Sequence, residues 1–226
     1  MFQQMLLSGW RSSRWVLAPF AVAALGLPLL AMRTAGTAAR EIYAPGQAVL
    51  MVMEVWAPLF PALAALLGIA VALAMWSWDH GGRHVYALSL PLPRWRYVLM
   101  KMGAGAALIG LPVGLFWIGS LMGVWSVDLP EGVRAYPLAL GLRFLLATAI
   151  AYAAAFALAA GTKRTVTWLL IGLLVFVVGG SLIVDVIQPL LGVDGLPTPL
   201  DLLDAALIDW PGPFHVFGGN WMLVDV

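Results

Sequence analysis

Residues Trp76–Lys101 read WSWDHGGRHVYALSLPLPRWRYVLMK, and long apolar runs flank them on both sides. The stretch is polar and basic and carries two prolines, Pro91 and Pro93. It also holds four of the chain's 12 Lys and Arg residues: Arg83, Arg94, Arg96 and Lys101. Cationic loops between membrane spans stay on the cytoplasmic side. The stretch therefore reads as a folded cytoplasmic loop joining two membrane helices, at residues 79–97, with a surface suited to a soluble partner.

Composition agrees with a membrane setting. Of 226 residues, 62% are hydrophobic and only 10% are charged, against about 25% charged in a soluble domain. The mean hydropathy is +0.95. A water-soluble fold of this size cannot bury so much apolar surface, so the solvent is lipid. There is no cysteine, which excludes disulfides, thiolate nucleophiles and Cys-ligated metals.

A helix needs about 20 apolar residues to cross a bilayer. Five segments meet that need: Trp15–Met32, Val55–Trp78, Val98–Trp125, Leu138–Ala160 and Val166–Ile187. None alternates as a membrane strand does. The expected fold is all-α, a polytopic helical bundle over residues 15–187. The apolar run at Trp15–Met32 exceeds the usual core of a signal peptide, so it reads as a true span.

Loop charge sets the orientation. With a cytoplasmic N-terminus, the inner side carries Arg11, Arg14, Arg83, Arg94, Arg96, Lys101, Lys163 and Arg164, and the outer side Arg33, Arg40, Arg134 and Arg143. That is the distribution the positive-inside rule demands. Trp15, Trp78, Trp125 and Trp168 fall at span ends, and all 11 tryptophans read as interfacial anchors. Gly110 and Gly114 form a GxxxG pair suited to close helix packing or a contact between copies. Pro19, Pro28, Pro58, Pro61 and Pro112 lie within spans and are expected to kink or loosen them.

Residues 188–226 read as an extracytoplasmic helical tail. Thr198 has the features of an N-cap, with Pro199 at the first helical position and Asp201 in the first turn. A Pro-Gly turn follows at Pro211–Pro213. Trp221-Met222-Leu223-Val224 then begins another apolar run, where a sixth span would start.

Residues 76–101 carry a family resemblance. Asp79 and Gly82 after the second span resemble an acidic-and-glycine pair found in permease subunits of ABC transporters of the type-2 export class. Leu90-Pro91-Leu92-Pro93-Arg94 resembles that family's Leu-Pro-x-x-Arg segment, and Lys101 sits where the family often has a base. The resemblance implies an interfacial helix at residues 1–14, six spans, and a coupling helix that docks on a separate P-loop ATPase. It also implies a bacterial inner (plasma) membrane and a second permease copy or homologue as partner. Two departures stand out: the family's common glutamate is aspartate here, and only five spans are expected.

Docking falls to Asp79, Gly82, Arg83, Tyr86, Leu88, Leu90, Pro91, Pro93 and Arg94. Tyr86, Leu88 and Leu90 suit a groove on the soluble subunit, and Arg83 and Arg94 suit its carboxylates. The same residues also suit a loop lying on anionic lipid headgroups.

No Walker A pattern occurs. No cofactor is expected in this chain; ATP and Mg would sit on the partner. No catalytic residue, metal site or nucleic-acid partner is expected. His80 and His84 are four apart, a metal-ligand spacing, but lack a third ligand beyond Asp79. Glu54, Arg143 and Asp185 are the ionisable residues within spans and lie near outer ends. They read either as an outer gate or as groups reaching the headgroups. Uncharged span centres argue against a proton relay. Lipid, drug-like molecule and small peptide all remain open as substrate. The competing reading is a non-catalytic structural or assembly subunit of a larger membrane complex.

Overall fold

The computed structural model describes residues 2–41, 45–81, 93–161, 167–168, 171–172, 174–191, 197–209 and 211–225. They are mostly helical, and four helices are long and apolar enough to cross a membrane: Leu6–Arg40, Pro45–Ser77, Trp95–Trp125 and Pro137–Ala160. The chain divides into two units, residues 1–156 with 219–226, and residues 157–218.

The first unit is built on α1 (Phe2–Glu41), α2 (Pro45–Trp56), α3 (Leu59–Gly81), α4 (Arg94–Trp125) and most of α5 (Pro137–Ala160). α1 runs unbroken through both the expected interfacial segment, 1–14, and the first span. Its polar residues do not interrupt it because they satisfy themselves on the helix. Ser13 Oγ donates to Gly9 O at 2.7 Å, and Thr34 Oγ1 to Ala31 O at 2.9 Å. The second expected span begins earlier than expected, at Pro45, and breaks at Ala57–Pro58. Pro58 and Pro61 have no N–H to donate, so the helical ladder loses two bonds within four residues.

α1 lies along α4 and also touches α2 and α3. The close approach of α1 and α4 depends on Gly119 and Gly123. A Cβ on Gly119 would collide with the Leu25 carbonyl, and one on Gly123 would come within 3.0 Å of the Pro28 carbonyl. Gly110 and Gly114, the expected packing pair, have nothing within 4 Å of a Cβ in the described chain. The small-residue contact therefore sits nine residues further along α4 and faces α1.

Phe60, Phe116 and Phe144 form the centre of the core. Phe60 meets Phe116 edge-on at 5.7 Å, and Phe116 stacks on Phe144 at 4.0 Å. The outward faces are apolar. Val22, Leu66, Leu73, Ile118 and Leu146 are all exposed, as helices bathed in lipid require.

After α4 the chain turns through Gly132, at φ 91°, into strand β1 (Arg134–Ala135). β1 pairs antiparallel with β2 (Val224–Asp225), with Arg134 opposite Asp225. Trp221, Leu223 and Val224 are fully buried. Residues 221–225 thus form an extended segment that closes one end of the first unit.

In the second unit a π-helical turn, Val175–Gly179, leads into α6 (Gly180–Leu191). Of the expected fifth span, the described part contains the apolar helix Val175–Val184, shorter than a crossing requires. Residues 166, 169–170 and 173 lie outside the described residues. α7 (Pro199–Leu207) starts where Thr198 and Asp201 cap each other. Asp201 Oδ2 accepts from the Thr198 amide at 2.7 Å and hydroxyl at 2.8 Å, and the Asp201 amide donates to Thr198 Oγ1 at 3.3 Å. Those donors hold the Asp201 carboxyl below its ordinary range. The far end of α7 is closed by the Phe214 amide, which donates to Leu207 O at 2.7 Å.

Candidate functional site

The last turn of α3 and the first two turns of α4 meet at the base of the 82–92 segment. Trp76 and Asp79, three apart, share one face of α3; Tyr97 and Lys101, four apart, share one face of α4. The four side chains converge. Lys101 Nζ forms an ion pair with Asp79 Oδ2. The Tyr97 hydroxyl lies 2.9 Å from Asp79 Oδ2 and 3.1 Å from Oδ1. Lys101 Nζ also stands 4.2 Å from the centre of the Trp76 ring and 5.4 Å from that of Tyr97.

All four residues are buried: Asp79 at 5%, Lys101 at 6%, Tyr97 at 8% and Trp76 at 3% exposure. Desolvating a carboxylate and an ammonium is costly, and the pair survives because each charge is met by the other and by further polar or aromatic partners. α5 backs the cluster. Phe156 sits 5.2 Å from Trp76 and 5.5 Å from Tyr152, whose hydroxyl donates to Met102 O at 2.9 Å. Three helices thus hold the ion pair in place.

The Asp79 carboxylate is buried and bonded to Lys101 and Tyr97. It ties the end of α3 to the start of α4. Gly82, Arg83, Tyr86, Leu88, Leu90 and Pro91 lie outside the described residues, as does His84. Pro93 is exposed and extended (φ −57°, ψ 133°), and Arg94 is the first residue of α4. Immediately after it, Trp95 and Arg96 are exposed, with the guanidinium 5.2 Å from the indole centre.

Sequence reasoning did not single out Tyr97 or Trp76, and it took every tryptophan as an interfacial anchor. Trp76 and Trp221 are instead buried, whereas Trp15, Trp125 and Trp168 are exposed. One signal for the cluster was available. Asp79 is the lone carboxylate among the bases of 76–101, and a Tyr–Lys pair at helical spacing follows at the start of the next helix.

At the opposite end of the first unit, Arg143 of α5 holds the returning chain. Its Nη1 donates to Asn220 O at 2.6 Å, and its guanidinium stands 4.6 Å from the centre of the buried Trp221 ring. Gly219, at φ 69°, turns the backbone into this contact. Of the expected outer gate, only Glu54 and Arg143 have described side chains. Glu54 is exposed on α2 and forms no ion pair with Arg143 among the described residues, and the side chain of Asp185 lies outside them. Arg143 serves as a clamp on the C-terminal segment.

No group of three His, Asp or Glu side chains among the described residues could hold a metal ion. The cluster at Asp79 joins a carboxylate to an ammonium and a phenol from the next helix. What it can do is mechanical: it makes the two helix ends that flank residues 82–92 move together. The chain matches no protein-family model, no curated protein and no solved structure.

Proposed function

We propose that this chain is the membrane-spanning permease subunit of an ATP-driven ABC exporter, with its N-terminus cytoplasmic in a bacterial inner membrane. A separate P-loop ATPase would bind residues 82–94, and a second copy or homologue would complete the path through the membrane. The observation that carries the reading is the buried Asp79–Lys101–Tyr97 cluster at the base of the basic segment. A segment that transmits force must be anchored at both ends to the helices it moves. A loop free on either side would flex and dissipate the stroke.

In this reading the docking surface is Arg83, Tyr86, Leu88, Leu90 and Arg94, and Trp95 and Arg96 extend it along the start of α4. Asp79 is a positioning residue behind it. Closure of the ATPase pair pushes the segment, and the ion pair passes the push to α3 and α4 as one body.

The test is co-purification of the tagged chain in mild detergent, with its partners identified by mass spectrometry. A stoichiometric P-loop ATPase that is lost on Arg94→Glu is the expected result. Recovery of integral membrane proteins alone, across several lipid conditions, would make the chain a structural subunit instead.

A further inference from the structure

At the end of the first unit opposite the Asp79 cluster lies a cavity of about 490 Å³, between the last two turns of α1, the start of α2 and the turn after α4. Its charged lining is Arg33 and Arg40 from α1 and Asp128 from the turn. Gly36 lies between the arginines against Val127, so α1 and the turn are in direct contact at the floor.

Neither guanidinium has an ion pair or hydrogen bond among the described residues. Asp128 lines the same cavity yet pairs with neither. The hydroxyls of Thr37 and Ser126 donate to their own helices, to Thr34 O and Gly123 O, each at 2.8 Å. Among the described side chains lining the cavity, the two guanidiniums are thus the charged donors without a bonded partner.

Arg40 sits in the last turn of α1, where a cation complements the negative helix end. That explanation does not extend to Arg33, two turns earlier, because the effect fades within one turn. Both guanidiniums are exposed and stand about 10 Å apart along one helix face, opening on a common cavity with room for one anion between them. Guanidinium forks match the oxygens of a phosphate. The cavity also lies at the end of a membrane-length helix, the depth at which lipid phosphates sit.

We infer that Arg33 and Arg40 form a binding site for a phosphate group, either the headgroup phosphate of an anionic lipid or a free phosphate-bearing solute. The site is independent of the exporter reading. Asp128 weakens it, since its carboxylate faces the same anion.

The experiment is native mass spectrometry of the full chain in detergent. The probes are phosphatidylglycerol, diacylglycerol of the same acyl chains, and inorganic phosphate. Phosphatidylglycerol should be retained over diacylglycerol, and each of Arg33→Gln and Arg40→Gln should weaken retention about tenfold. Asp128→Asn should strengthen it, while Arg134→Gln, an exposed arginine outside the cavity, should leave it unchanged. Displacement by millimolar inorganic phosphate would identify a free phosphate as a ligand; resistance to it would identify the lipid headgroup. Equal retention of diacylglycerol and phosphatidylglycerol, with inorganic phosphate unbound, would overturn the proposal. So would a loss in Asp128→Asn matching that in the arginine variants, because the variants would then act through folding.

Discussion

The two ends of the first unit use one device under different electrical conditions. At one end Lys101 lies over the indole of Trp76; at the other Arg143 lies over that of Trp221. Both cations hold a segment that leaves the helical bundle or returns to it. Lys101 is buried, and its charge is answered by a carboxylate. Arg143 is half-exposed, and the contacts that hold it include the Asn220 carbonyl and the face of Trp221. Burial decides the difference. A charge removed from water demands an opposite charge, whereas one left at the rim keeps part of its hydration.

The comparison breaks most clearly at Asp79. Asp79→Ala leaves a buried ammonium unpaired and should cost about 3–5 kcal/mol, read as a lower thermal unfolding midpoint in detergent. Asp79→Leu combined with Lys101→Met should recover most of that loss, because an apolar pair of similar volume replaces the charges. A double variant as unstable as the single would show that the charges are not what holds the cluster.

Arg143→Ala should cost less, about 1–3 kcal/mol, since the Asn220 carbonyl keeps access to water. Arg143→Lys should fall between it and the parent chain, because a point charge lacks the planar face that lies on Trp221. Limited proteolysis near residue 220 reads this end directly. Faster cleavage in Arg143→Ala and not in Asp79→Ala would separate the two ends.

Gly119→Val sharpens the contrast between the two faces of α4. It should cost about 1–3 kcal/mol through overpacking against α1, whereas Gly110→Val should leave the unfolding midpoint of the isolated chain unchanged.

The smallest effect belongs to α7, where neutral donors answer a charge in open water. The Asp201 carboxyl is held below its ordinary value by the Thr198 amide and hydroxyl. Its contribution is therefore present above the ordinary carboxylate value and is lost as pH falls through the depressed one. Amide exchange in the first turn of α7 should speed up on acidification through that range, and Thr198→Ala should reduce the pH dependence without abolishing it, because the amide donor remains.

Apolar runs near 20 residues made the membrane-length helices legible, because length and hydropathy are local properties. The Thr198 cap was legible for the same reason: donor and acceptor are three residues apart. Other features depend on partners distant in sequence. Gly110 and Gly119 look alike until α1 is laid against one face of α4. Trp221 looks like the opening of a span until β1 provides hydrogen bonds for the strand beside it. Asp79 looks like a surface charge until Tyr97 and Lys101 are seen to face it. The continuity of α1 through residues 1–14 was hidden by its serines and arginines, which suggest a boundary although the serines satisfy themselves on the helix.

The pairing of Arg134 with Asp225 joins the turn after α4 to a segment that follows the whole of the second unit in sequence. A ribosome makes the first partner long before the second. While residues 157–218 are being synthesised and inserted, Ala135 has no strand beside it, the Tyr136 amide lacks the Leu223 carbonyl to which it donates at 2.9 Å, and Arg143 has no carbonyl or indole to hold. The nascent bundle thus carries an unsealed end until residues 220–225 emerge. Stalling translation before Asn220 would expose that end to the quality-control machinery of the membrane.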